Sequence, residues 1–572
     1  MKGVIAVISR FKGYYKDYIF HFSIAILGMI LAAAGAAASA YLVKPVLDKI
    51  FMEKNEELLY LLPYAVIAVF FLKGLGTYLQ EYFTAFIGHD IVRRFRFMLL
   101  KNIICLDMSF FNRQRSGELI SRNTNDIERI RNIVSSMVPE FFRELITAIC
   151  LLGVVIYQSP KLAFFALVIF PAAIYPLNLF AKKIKKISHQ SQAKISDMTA
   201  ALSEIFTNIE IIKANNATNK ELNRFNSHNE RFFRLNVKSV KIAELVNPLM
   251  ELFGAVGIAV VIIIGGSEVI ANKLSVGSFF SFLTALFMLY TPIKRVSNLY
   301  NRMQDAVAAS ERTFELLGLS SNIIDGKENF PSKLHKVEFL DVKFSYDEKN
   351  HVLNGVSFEA KIGQIIGIVG TSGGGKSTLI NLLMRFYDAS LGEILINQNA
   401  ISDFNLHSLR ENIGIVTQRI YIFNDTIAAN VAYASDEIDE EKVIKALKIA
   451  NAWDFVNSLD DGINSVLDEF GTNLSGGQRQ RIAIARAIYN DPKILIFDEA
   501  TSALDNESER IITDVIEQIK NDKIVFIIAH RHTSIKNADK ILVLDKGKVA
   551  GFDKKEVLES SCAVFNQLKE QK

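Results

Sequence analysis

Apolar residues are not spread evenly along this chain. The first three hundred residues carry six stretches long enough to cross a hydrocarbon core of about 30 Å, near 18–43, 57–79, 134–157, 160–181, 247–271 and 276–300. They predict six membrane-spanning helices. The first contains Leu31-Ala-Ala-Ala-Gly-Ala-Ala-Ala-Ser-Ala40, small side chains that let one helix backbone approach another closely. Segments 80–133 and 182–246 are too long for connectors and keep a helical period, as in Ile120, Ile127, Ile130 and Val134. They read as membrane helices continued into water. Residues 320–333, with Gly326 and Pro331, read as a linker, and beyond them the pattern becomes an ordinary α/β mixture. The expected organisation is a six-helix transmembrane domain over 1–319, a linker over 320–333 and an α/β domain over 334–572.

Lysine and arginine orient the helices. Four lie in residues 1–17, nine in 80–133 and twelve in 182–246, so these segments are expected on the cytoplasmic side, together with the N-terminus. The loops at 158–161 and 267–275 carry almost no positive charge, as external loops should. The loop at 44–56 has three lysines and is the exception; the neighbouring acids Asp48, Glu53, Glu56 and Glu57 count for little in this rule. Half of the residues are hydrophobic, high for a water-soluble protein, and the net charge of +4 is too small to argue for nucleic acid. Cys105, Cys150 and Cys562 are too far apart to suggest a metal site or a disulfide framework. The basic, charge-broken start up to Tyr18 does not read as a cleavable signal.

The α/β domain contains Gly370-Thr-Ser-Gly-Gly-Gly-Lys-Ser-Thr378, between the apolar runs Ile365–Val369 and Leu379–Met384. Strand, glycine loop and helix in this order fit the P-loop. The main-chain N–H groups from Gly370 through Thr371, Ser372, Gly373, Gly374 and Gly375 close round phosphates, Lys376 reaches the outer phosphates, and Ser377 offers a hydroxyl to Mg²⁺. Farther on, Ile494-Leu-Ile-Phe-Asp498-Glu499 reads as a buried strand delivering two carboxylates to its C-terminal edge. There Asp498 would hold Mg²⁺ and Glu499 would polarise an attacking water.

Leu474-Ser-Gly-Gly-Gln478, continuing to Ala487, resembles the signature motif of ATP-binding cassette (ABC) proteins. Other elements of that family match in order: Tyr346 for adenine stacking, Gln418 as the Q-loop glutamine and a further Mg²⁺ ligand, Ser502-Ala-Leu-Asp505 as the D-loop, and His530 as the switch histidine. The resemblance implies ATP and Mg²⁺ as cofactors, with Thr378 and Asp505 also lining the nucleotide site. It also implies two cassettes packed head to tail, so that Ser475, Gly476, Gly477 and Gln478 of one chain face the γ-phosphate held by Lys376 of the other. One cassette per chain then implies a homodimer with two competent sites. Six spans followed by one cassette is similar to the family's half-transporter exporters. Phe110-Phe-Asn-Arg-Gln-Arg-Ser-Gly-Glu-Leu-Ile-Ser-Arg122 resembles their coupling-helix pattern, with Asn112 where aspartate is usual. Asp468, before Glu469-Phe-Gly471, stands where glycine is common, and His532 departs from the usual leucine.

Four basic residues, Lys73, Arg143, Lys294 and Arg295, fall in or beside the spans. Each costs roughly 2.5–3.5 kcal/mol at mid-membrane, so each needs a reason. Counting 1.5 Å per residue places them in the cytoplasmic third. One reading is snorkelling to the inner headgroups; the other is a cationic collar that grips phosphates of an anionic lipid. The resemblance to bacterial lipid A flippases favours the collar. It implies export of lipid A or a lipooligosaccharide core from the inner to the outer leaflet of a bacterial inner membrane, with multidrug export as the alternative. A regulatory cassette that does not pump is disfavoured by Glu499, His530 and the signature. Six spans exclude a soluble cassette acting on DNA or ribosomes, and the seventeen residues before the first span have no room for the protease domain expected in peptide secretion.

Overall fold

A computed structural model describes residues 16–114, 116–347, 351–498, 506–529 and 535–570. The chain forms two compact units, one of Met1–Leu100 with Ser121–Leu317, the other of Lys101–Ile120 with Gly318–Lys572. Residues 101–120, expected as part of the transmembrane domain, thus group with the α/β unit. Contacts across 215 and 217 positions tie them there: Asp107 accepts a hydrogen bond from the Asn322 N–H, and Asn102 donates to the carbonyl of Leu319.

The long helices are α1 (Ile19–Tyr41), α2 (Glu56–Ile104), the short α3 (Met108–Arg113), α4 (Val138–Gln158), α5 (Pro160–Thr207), α6 (Thr218–Ile270) and α7 (Val276–Leu317). Each of the six expected apolar stretches lies in or against one of these other than α3. Among the described residues, Lys16–Met52, Glu56–Ile104 and Val276–Val296 are long and apolar enough to cross a membrane.

The small residues of α1 permit a close crossing with α2. A Cβ at Gly28 would lie 2.6 Å from the carbonyl oxygen of Gly76, and one at Gly76 would lie 2.7 Å from that of Gly28. Without hydrophobic drive between helices in lipid, such backbone contact supplies the packing. A Cβ at Gly35 would meet the Lys73 Cβ at 2.7 Å, which places Lys73 directly against α1. Some polar groups buried in this unit pair across helices, as the low dielectric favours. Gln158 donates to Ser281 (3.0 Å), which donates to the Ala40 carbonyl (2.9 Å), joining α4, α7 and α1. Asp48 accepts from Ser275 and from the Gly277 N–H at the start of α7.

The second unit is built on two sheets. Strands β1 (Lys336–Ser345), β2 (His351–Lys361), β4 (Leu391–Ile396) and β5 (Asn399–Ala400) form an antiparallel sheet in the order β2-β1-β4-β5. Strands β3 (Ile365–Gly370), β6 (Ile413–Val416), β7 (Ile494–Asp498), β8 (Ile524–Ile528), β9 (Lys540–Asp545) and β10 (Lys548–Asp553) form a second sheet in the order β10-β9-β3-β8-β7-β6. It is parallel except for β10. Alternate residues of its strands enter two different cores: Ile365, Leu495, Val525 and Val543 one, Ile366, Ile494, Phe526 and Leu542 the other. Burial on both faces explains why these strands read as continuous apolar runs.

Candidate functional site

The order β3-β8-β7-β6 brings Gly370, Gln418 and Asp498 of the predicted nucleotide residues to one sheet edge. Because the four strands are parallel, their C-terminal ends lie together, where α/β sheets bind ligands. Ile368 and Asp498 both stand opposite Ile528, and Val416 stands opposite Phe497. Gly370 at the end of β3, half-buried Asp498 at the end of β7 and exposed Gln418 just past β6 therefore share that edge. Glu499 follows Asp498 directly and His530 follows Ala529. Glu499, His530 and the D-loop with Asp505 lie outside the described residues.

Between β3 and helix α8 (Lys376–Leu383) the chain turns tightly, and the Gly374 N–H donates to the Thr371 carbonyl at 3.0 Å. Gly375, just before α8, has φ +98° and a would-be Cβ 2.5 Å from Leu353, so the position requires glycine. Lys376 is 6% exposed and its Nζ donates to the carbonyls of Gly370 and Thr371, both at 3.0 Å. Thr371 is held in turn by Asp545 (3.3 Å). Ser372, Gly373 and Ser377 are exposed, whereas Thr378 is buried.

Beside the loop stands Tyr346, 42% exposed, an orientation that suits stacking on a base. Its hydroxyl lies 3.1 Å from Thr378 Oγ1 and accepts from Asn381 (3.3 Å). Its ring meets Phe344 and Tyr387 edge-on, with centroids 4.8 and 5.1 Å away. The hydroxyl of Ser377, the amide oxygen of Gln418 and the carboxylate of Asp498 are hard oxygen donors at the same edge, the set that suits Mg²⁺.

The signature lies at the start of helix α9 (Gly476–Ile488). Ser475 caps it: the Gln478 N–H donates to Ser475 Oγ (3.2 Å) and the Ser475 N–H to Gln478 Oε1 (2.8 Å). Ser475 and Gly476 are exposed. This capped helix end presents N–H groups to solvent, an arrangement that favours an anion.

Sequence reasoning passed over Asp107 and Tyr387. Asp107 caps α3, accepting from the Phe110 N–H at 3.3 Å, and Asn112 on α3 donates to the Tyr387 hydroxyl at 2.5 Å. Burial pushes the Tyr387 phenol above its ordinary value, the Asn112 hydrogen bond acting against it, so the phenol stays protonated. Asn112, unlike aspartate, supplies the N–H that this oxygen accepts. Asp468 has φ −68° and ψ 163°, extended backbone that does not call for glycine.

In the helical unit, Arg143 donates to Gln80 (2.8 Å) and Glu81 (3.0 Å) on α2 and to Glu144 (3.2 Å). Arg295 donates to the same Glu144 oxygen at 2.9 Å. Lys73 and Lys294 lie near the rings of Phe70 and Tyr290, at 5.7 and 5.9 Å. Two of the four expected cations are thus tied to one carboxylate. Glu144 escaped notice because a sequence shows charges singly and not which of them pair.

Comparison with known proteins matches residues 22–293 to the ABC transporter transmembrane region and residues 353–502 to the ABC transporter family. An ATP-dependent lipid A-core flippase of Syntrophus aciditrophicus is 41% identical, with 92% of this chain and 88% of that protein aligned. One from Desulfotalea psychrophila is 40% identical over 92% of both chains. One from Haemophilus influenzae is 34% identical over 95% of this chain and 93% of that protein. Among solved structures, a bacterial Atm1-family ABC exporter with ATP bound superposes with a TM-score of 0.80 at 26% identity, covering 97% of this chain and 98% of that one. With its helical region and its cassette both matched by family models and 92% of its length aligned to a flippase relative, this chain belongs to the ABC transporters, as an exporter related to the ATP-dependent lipid A-core flippases.

Proposed function

We propose that two copies of this chain form a transporter that uses ATP to flip a phosphorylated glycolipid, lipid A or a lipid A-core, from the inner to the outer leaflet of a bacterial inner membrane. The observation that carries this reading is the set of cations Lys73, Arg143, Lys294 and Arg295 on apolar helices, in a chain 41% identical to a lipid A-core flippase. Cations in such surroundings are costly unless they meet an anion; Arg143 and Arg295 are paired with Glu144, for which a lipid phosphate can substitute. The cassettes and the N-terminus lie in the cytoplasm, with the basic segments.

In the cassette, Tyr346 stacks on adenine, the P-loop N–H groups hold the phosphates and Lys376 binds the outer ones. Ser377, Gln418 and Asp498 would hold Mg²⁺, whose charge offsets that of the phosphate oxygens. Glu499 accepts a proton from the attacking water, and His530 and Asp505 complete the site. Ser475 to Gln478 of the second copy close over the γ-phosphate, so hydrolysis requires dimer closure. Helix α3 carries that closure towards the membrane helices.

The test is ATP hydrolysis by the full chain in liposomes. Lipid A should stimulate it, and Lys73→Ala with Arg143→Ala should weaken the response about tenfold or more, since hydrogen bonds to charged groups contribute roughly 1.5–3 kcal/mol each. Equal stimulation by uncharged drugs, insensitive to those changes, would favour multidrug export.

A further inference from the structure

Glu144 is a buried carboxylate to which the transport cycle above gives no role. Its side chain is 7% exposed, and its Oε1 accepts from two guanidinium groups on different helices, Arg143 of α4 at 3.2 Å and Arg295 of α7 at 2.9 Å. Arg143, itself 11% exposed, also contacts Glu81 at 3.0 Å and Glu140 at 3.8 Å. Two guanidinium groups therefore meet three carboxylates within ion-pair distance, and the cluster carries no spare positive charge to offer a phosphate.

A carboxylate and a phosphate present the same kind of oxygen to a guanidinium, but a phosphate monoester brings up to two negative charges and more acceptor oxygens. A buried carboxylate that loses its partners is strongly disfavoured, so its release must be driven by a ligand that replaces it well. We propose that Glu144 is an internal counter-anion of the substrate cations. It holds Arg143 and Arg295 together while no anionic lipid is bound, and a phosphorylated headgroup displaces it from them. This rests on the lipid-flipping reading above and adds to it the residue that sets selectivity for charge. A neutral amphiphile cannot make the exchange. Displacement also releases the α4–α7 tie through Arg295, so that the helix leading into the linker is freed only when the headgroup arrives.

The test measures lipid A binding to the full chain in nanodiscs, with wild type, Glu144→Gln, Arg143→Gln and Lys73→Gln. The glutamine keeps the shape and an acceptor oxygen but removes the competing charge, so lipid A affinity should rise about tenfold or more, as coupling energies of close charge pairs indicate. Arg143→Gln and Lys73→Gln should lower it. If Glu144→Gln leaves affinity unchanged or lower while Arg143→Gln and Lys73→Gln weaken binding, the counter-anion role is wrong and the lipid reading stands. If neither Arg143→Gln nor Lys73→Gln alters binding, the lipid reading falls and the counter-anion role with it. Should Glu144→Gln not fold, Glu81→Gln is the substitute. That carboxylate is 63% exposed on the same guanidinium, and its loss should raise affinity about twofold; no rise would overturn the proposal.

Discussion

Cations suited to phosphate occur in both units of this chain and are held in contrasting ways. In the glycine loop, the contacts of the Lys376 ammonium include the carbonyls of Gly370 and Thr371, dipoles that can stay in place when a phosphate arrives. Among the helices, Arg143 and Arg295 are held by the carboxylate of Glu144, a charge that must leave before another anion takes its place. Preorganised dipoles favour a ligand bound and released in every cycle, whereas a charge exchange favours discrimination between ligands.

The largest effect separates the two regions. Glu499→Gln should lower ATP turnover by about 10² to 10⁴, the usual loss for a removed general base, and trap a closed dimer that still binds ATP. Near-normal turnover in that variant would remove Glu499 from its role. A second variant strikes the helices alone. At Gly76 a Cβ would lie 2.7 Å from the Gly28 carbonyl oxygen, so Gly76→Val should destabilise the α1–α2 crossing by about 1–3 kcal/mol. Thermal unfolding should then start earlier in the helical unit while nucleotide binding by the cassette persists; an unchanged melt would contradict this packing.

A smaller effect is expected at α3. Burial works to raise the Asp107 carboxyl, but hydrogen bonds from Ser109, the Asn322 N–H and the Phe110 N–H outweigh it and hold the group below its ordinary 3.8. A lowered folded value stabilises above the ordinary value and is lost as pH falls below it. Docking of α3 should therefore be unaffected by pH near neutrality and weaken only below about 3.8, while Asp107→Ala should cost about 1 kcal/mol at neutral pH. Hydrogen exchange of the α3 amides measures both. The smallest change is Tyr387→Phe, which removes the acceptor for Asn112 and should cost about 0.5–1.5 kcal/mol of the same docking.

The regions also differ in how far their sequence could be read. The nucleotide site is written in short runs, because each functional group sits at the end of a buried strand or at a helix start: Lys376 after β3, Asp498 at the end of β7, Ser475 before α9. Local pattern is enough to place them, and the parallel strand order does the rest. The apolar runs likewise fall on the long helices, three of which, among the described residues, are long and apolar enough to cross a membrane. What local pattern does not carry is pairing across long separations. Asn112 read as a departure from the coupling pattern, and its partner Tyr387 lies 275 positions away. Arg143 and Arg295 read as cations open to phosphate, yet Glu144 joins them across 151 positions. Grouping of residues 101–120 with the cassette has the same origin, in contacts to Leu319 and Asn322.

Leaflet transfer of lipid A in proteoliposomes containing the full chain decides whether this protein flips a phosphorylated glycolipid. The phosphorylated glycolipid should move to the opposite leaflet in an ATP-dependent way, with movement abolished by Glu499→Gln and slowed by Lys73→Ala with Arg143→Ala. Lipid A that stays in its leaflet while an uncharged drug moves in an ATP-dependent way would contradict that function.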